Sequence, residues 1–133
     1  VFFNSVHAAF KCAVDVGKKT YKHPQIGLRN GVYSGPVVPV KDINDNPNVS
    51  GSGINMAQRC MDAGDNDHIL ISNGVYQYVN QMDIPGLKFE DWGPVIVKHG
   101  STVHMWTAYG SNFGRTDFPD WRGTKKADFK TDE

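Results

Sequence analysis

Apolar residues recur at Val6, Ala9, Phe10, Ala13 and Val14, with His7, Lys11, Asp15 and Lys18 on the opposite side. This helical period predicts an amphipathic helix over residues 5–20. Asn4 or Ser5 supplies its N-cap, and Gly17 followed by His23-Pro24 ends it. From Gln25 to Val40, β-branched residues interleaved with Gly27, Gly31, Gly35 and Pro36 predict a strand that continues as an edge-like arm. Asp42-Ile-Asn-Asp-Asn-Pro47 is a turn by composition, and the arm returns through Val49. A second helix is expected from Gly53 to Asp62, with Ile54, Ala57, Cys60 and Met61 on one side and Asn55, Arg59 and Asp62 on the other. His68 to Ser72 reads as a short buried strand, and Ser72 or Asn73 caps a third helix holding Val75, Tyr78 and Val79. Two strands follow within residues 87–109, joined at His99-Gly100, with Val95, Val97, Val103, Met105 and Thr107 on alternating positions. Beyond Gly110 no period persists, and residues 111–133 read as a mobile tail or linker.

The alternation of helices and strands, with many turns, predicts one mixed globular domain. With 133 residues, the chain is long enough to bury roughly two thirds of its unfolded surface. Fourteen basic side chains balance fourteen acidic ones, so no global field recruits nucleic acid or an anionic membrane. No apolar run approaches the ~20 residues of a membrane span, and no signal peptide opens the chain, so a cytoplasmic location is expected. Cys12 and Cys60 lack the spacing of a disulfide framework or a zinc site and are expected to be reduced thiols. The opening Val1-Phe-Phe, without Met and running almost directly into a helix, reads as the start of a fragment.

Candidate chemistry concentrates in Ser50-Gly-Ser-Gly-Ile-Asn-Met-Ala-Gln-Arg-Cys60. A glycine turn feeding a helix start presents backbone N–H groups to an anion. The i,i+4 spacing of Asn55 and Arg59 places an amide beside a fixed guanidinium on one helix face, a pairing that suits a phosphate or a sugar. The five histidines show no metal-ligand spacing, and Arg29 reads as a structural or interface residue.

Three further blocks flank this segment: Ile26-Gly-Leu-Arg-Asn-Gly-Val-Tyr-Ser-Gly-Pro36, His68-Ile-Leu-Ile-Ser72 and Val97-Lys-His-Gly100. In their order and spacing the four blocks resemble the C-terminal portion of a class III nucleotidyl cyclase domain, the adenylate and guanylate cyclase family, over residues 1–110. The resemblance implies an α+β, ferredoxin-like cyclase fold, an antiparallel-rich sheet with helices packed on it, whose N-terminal strands are missing from this chain.

It also implies roles. Asn55 and Arg59 match the family's Asn that orients the ribose and Arg that stabilises the pentavalent phosphorus. Asn48 stands at the base-reading position, where the family often has Asp or Thr, so the nucleotide is left open between ATP, GTP and a pyrimidine triphosphate. Gly51 belongs to the turn that approaches the substrate, and Lys98 stands where some members contact the triphosphate, although Lys98-His99 replaces the family's Lys-Gly. Two Mg²⁺ or Mn²⁺ ions are implied, with ligands expected upstream, so no metal ligand is assigned here. Family members work as head-to-tail dimers, which implies a homodimer whose contact includes the Val37 to Val49 arm. The expected function is conversion of a nucleoside triphosphate to a 3′,5′-cyclic nucleotide and pyrophosphate for second-messenger signalling. The fragment alone is expected to be inactive and to self-associate. The alternative is a cyclase-like regulatory or dimerisation module that has lost its chemistry.

Overall fold

The computed structural model describes residues 3, 5–35, 38–41, 47–50, 52–97, 102–117 and 125–126. Helix α1 (Val6–Thr20) begins where Ser5 Oγ accepts from the Ala8 amide, and Phe10, Ala13, Val14 and Gly17 form its buried stripe. Gly17 therefore does not end the helix as expected. It lies inside it, where a Cβ would stand 2.9 Å from Ile69 Cδ1, and Tyr21 is the C-cap. On the solvent face Lys11 and Asp15 pair at 2.8 Å across one turn.

The single strand expected over residues 25–40 is two. Strand β1 (Asn30–Val32) is short, and residues 23–29 before it form no strand. Strand β2 (Val38–Lys41) pairs antiparallel with β3 (Pro47–Ser50), as the returning arm predicts. Helix α2 (Ser52–Asp62) then leads to β4 (Ile69–Ser72), all four of whose residues are buried. Ser72 Oγ caps α3 (Asn73–Val79) by accepting from the Val75 amide, resolving the choice between Ser72 and Asn73. In α3 Val75 and Val79 are buried as expected, whereas Tyr78 is 61% exposed and Tyr76 packs instead.

Strands β5 (Lys88–Ile96) and β6 (Thr102–Tyr109) form a long antiparallel pair, interrupted by a bulge between Asp91 and Gly93. The bulge inserts Trp92 and lets Gly93 adopt φ 71°. With β7 (Lys125–Lys126) the mixed sheet runs β1-β4-β6-β5-β7, and β1 lies parallel to β4, with α2 in the connection between them.

Both sheet faces are covered. On one, α1 and α3 bury Phe10, Val14, Val75 and Val79 against Ile69, Ile71 and Ala108. On the other, Cys60 and Ala63 at the end of α2 join Leu70, Trp92, Val95, Val103 and Met105. The alternation expected of Val95, Val97, Val103, Met105 and Thr107 holds, since all five are buried. Phe113, in the stretch read as a tail, is 1% exposed and belongs to the first core. Residues 113–117 are tied to the domain by Trp92, His68 and Asn66, contacts over long sequence separations that no local periodicity announces.

Candidate functional site on helix α2

Helix α2 is seated by a backbone contact. A Cβ on Gly31 would overlap the Met61 amide nitrogen and stand 2.8 Å from the Ala57 carbonyl oxygen, so only glycine in β1 admits the helix at this height. Burial of Cys60 and Ala63 fixes the rotation of the helix and turns Asn55 and Gln58 to solvent, with Arg59 half-buried between. Asn55 and Arg59 thus stand on one helix at i,i+4 spacing, away from the buried stripe, as the sequence predicts.

The charges around them are unequal. Asp62 Oδ1 accepts from Arg29 Nη2 at 3.5 Å and from Gln58 Nε2 at 3.3 Å. Arg115 forks onto Asp117 and reaches Asp65. Arg59 alone among the described arginines has no carboxylate partner. Among the described residues its Nη1 meets the Met56 sulfur, at 3.5 Å, a weak acceptor that does not neutralise the guanidinium charge. The Arg29 to Asp62 pair agrees with the structural role expected of Arg29. Cys60, next to Arg59, is pushed up to about 12 by burial, so its thiol is no nucleophile.

Of the other expected site residues, Asn48 lies in β3 opposite Val40, with its side chain outside the described residues. Gly51 and Lys98 fall outside the described residues altogether. Sequence reasoning missed the cleft of ≈ 260 Å³ beside α2, lined by Met56, Tyr33, Ser34, Ser72, Asn73, Gly74, Thr102, Val103 and His104. Met56 both lines this cleft and touches Arg59. At its rim His104 Nε2 pairs with Asp91 Oδ1 at 2.7 Å and stacks on Trp106, which stacks on Tyr76 and donates to Asn73 Oδ1. Among the described residues no group of three or more His, Cys, Asp or Glu side chains converges to hold a metal ion, and no helix is long and apolar enough to cross a membrane.

No protein-family model and no curated protein matches the chain. Among solved structures, the chain is similar to the guanylate cyclase domain of RhGC from Catenaria anguillulae in complex with GTP. That match has a TM-score of 0.66 and 22% identity, over 83% of this chain and 62% of that one. It is similar to adenylate cyclases from Trypanosoma brucei in their monomeric state, with TM-score 0.54 and 20% identity over 71% of this chain and 45% of that one. The adenylyl cyclase CyaB from P. aeruginosa matches with TM-score 0.50 and 22% identity, over 63% and 44% of the two chains. The chain spans less than two thirds of each of these structures. This chain has the fold of the adenylate and guanylate cyclase domains, over part of their length.

Proposed function

We propose that this chain is the C-terminal portion of a nucleotidyl cyclase domain. The complete domain converts a nucleoside triphosphate, ATP or GTP before a pyrimidine nucleotide, to a 3′,5′-cyclic nucleotide and pyrophosphate. The observation that carries the reading is Arg59: a half-buried guanidinium with no carboxylate beside it among the described residues, one helical turn from an exposed Asn55, on a helix fixed to the sheet at Gly31. A guanidinium already paired with a carboxylate has spent its fork, whereas this one retains its donors for phosphate oxygens.

In the proposed reaction the ribose 3′-oxygen bonds to the α-phosphorus as the bond to the departing pyrophosphate breaks, and the 3′-hydroxyl proton passes to solvent. Positioning and charge stabilisation carry such a step. The Asn55 amide holds the ribose, and Arg59 donates to the oxygens of the pentavalent phosphorus, where negative charge builds up. Asn48, Gly51 and Lys98 contact the base, the turn side of the nucleotide and the triphosphate respectively. In this reading Mg²⁺ or Mn²⁺ would be held by carboxylates of the upstream half of the domain. In a head-to-tail homodimer, one protomer presents Asn55 and Arg59 to the carboxylate-bearing half of its partner. The separate chain is therefore inactive in this reading.

The test is to express the complete domain of the parent gene and supply ATP, GTP, CTP and UTP in turn with Mn²⁺. Formation of one cyclic nucleotide with stoichiometric pyrophosphate is expected. Nucleotide binding without turnover of any substrate would support the regulatory module instead.

A further inference from the structure

The stretch Phe113 to Asp117 starts from Phe113 in the core beneath α1 and α3, and two buried side chains hold the backbone that follows it. Trp92 Nε1 donates to the Thr116 carbonyl at 3.0 Å, and His68 Nε2 meets the Asp117 carbonyl at 2.7 Å. His68 is fully buried, and its other nitrogen, Nδ1, accepts from the Asp65 amide at 2.7 Å, just beyond the end of α2. These two bonds together require a neutral imidazole with its proton on Nε2. Gly114, at φ 80°, allows the chain to turn into this path, since a Cβ there would overlap the Ala108 carbonyl oxygen.

We infer that residues 113–117 form an acid-sensitive strap, latched by neutral His68 and released when that imidazole takes a second proton. A proton on Nδ1 would face the Asp65 N–H donor to donor, and one of the two must move. The groups facing His68 set the direction. The residues around it, Trp92 edge-on at 5.3 Å among them, exclude water and disfavour the cation. From the strap, Arg115 disfavours it further, while the Asp117 carbonyl and carboxylate, the latter at 3.8 Å, favour it. Burial outweighs the rest, so His68 titrates below its ordinary value and the latch stays closed at neutral pH. Arg115 provides a second tie, donating to the Asn66 carbonyl at 3.0 Å and pairing with Asp65 at 3.5 Å. Because His68 and Arg115 both hold Asp65, release of the strap frees the segment that follows α2. This inference stands whether or not the domain cyclises a nucleotide.

The test uses proton NMR of the chain, or of the complete domain, from about pH 7.5 to about pH 5. The readouts are solvent protection of the Trp92 indole N–H and the Asp65 amide, with the Leu70 amide in β4 as reference. Both protections should fall at least about tenfold with the same midpoint as the His68 ring signals, while Leu70 keeps its own. In His68→Gln, which cannot gain charge, protection of the indole should no longer change with pH. If that variant does not fold, Trp92→Phe removes the other tie and should move release of the Asp65 amide to higher pH. Protection that is flat across the His68 titration, or lost at Trp92 and Leu70 together, would overturn the latch.

Discussion

Gly31 and Met61 meet backbone to backbone, and this contact sets the height of α2 above the sheet. A methyl group on Gly31 has only main-chain atoms to push against, the Met61 amide and the Ala57 carbonyl, and neither can rotate away. Gly31→Ala should therefore destabilise the domain by about 1–3 kcal/mol, the usual cost of overpacking. Urea denaturation measures this, and an unchanged midpoint would show that α2 is not seated at this point.

Buried Thr107 carries the opposite kind of defect. Its hydroxyl is the one buried side-chain oxygen or nitrogen among the described residues without a hydrogen-bond partner. Valine keeps the shape and removes the unsatisfied group, so Thr107→Val should be neutral or stabilising by about 1 kcal/mol. Loss of stability in that variant would mean that the hydroxyl has a partner after all.

The two thiols should behave differently. Cys12 is exposed and Cys60 is buried with its ionisation suppressed. In the native state iodoacetamide should modify Cys12 alone, and Cys60 only after denaturation, as read by mass spectrometry. Equal rates at both would place α2 off the core.

Stability should depend on pH through His68. The folded chain binds its proton below the ordinary value of about 6.5, the unfolded chain near it, so below about pH 6.5 the unfolded state holds more protons. Stability from this residue is fully present above that value and is lost as pH falls towards the folded one. The urea midpoint at about pH 5.5 should lie below that at about pH 7.5, and the difference should shrink in His68→Gln. A midpoint that rises on acidification would contradict the burial of a neutral imidazole.

What the sequence revealed follows from the range of the interactions. The stripe of Phe10, Ala13 and Val14, the side-chain cap at Ser72 and the buried run Ile69 to Ile71 are local patterns, and each lies in the element expected of it. The Asn55 and Arg59 spacing was legible for the same reason, because one helix carries both. Gly17 and Gly31 look alike as letters, yet one packs on a side chain of β4 and the other on the backbone of α2, which only the assembled fold distinguishes. The strap could not be read at all. Its ties run from Trp92 and His68 side chains to carbonyls of Thr116 and Asp117, and a backbone acceptor leaves no mark in the sequence.

Arg59 is proposed to stabilise charge at the reacting phosphorus. That role is tested most directly by cyclic nucleotide formation in the complete domain with Arg59 intact, as Arg59→Lys and as Arg59→Ala. Loss of such a donor costs about 3 kcal/mol of barrier, so Arg59→Ala should lower kcat by roughly two orders of magnitude with little change in KM. Lys lacks the planar fork and should recover only part of the rate. Full activity in Arg59→Ala, with the unmodified domain making a cyclic nucleotide, would contradict the account.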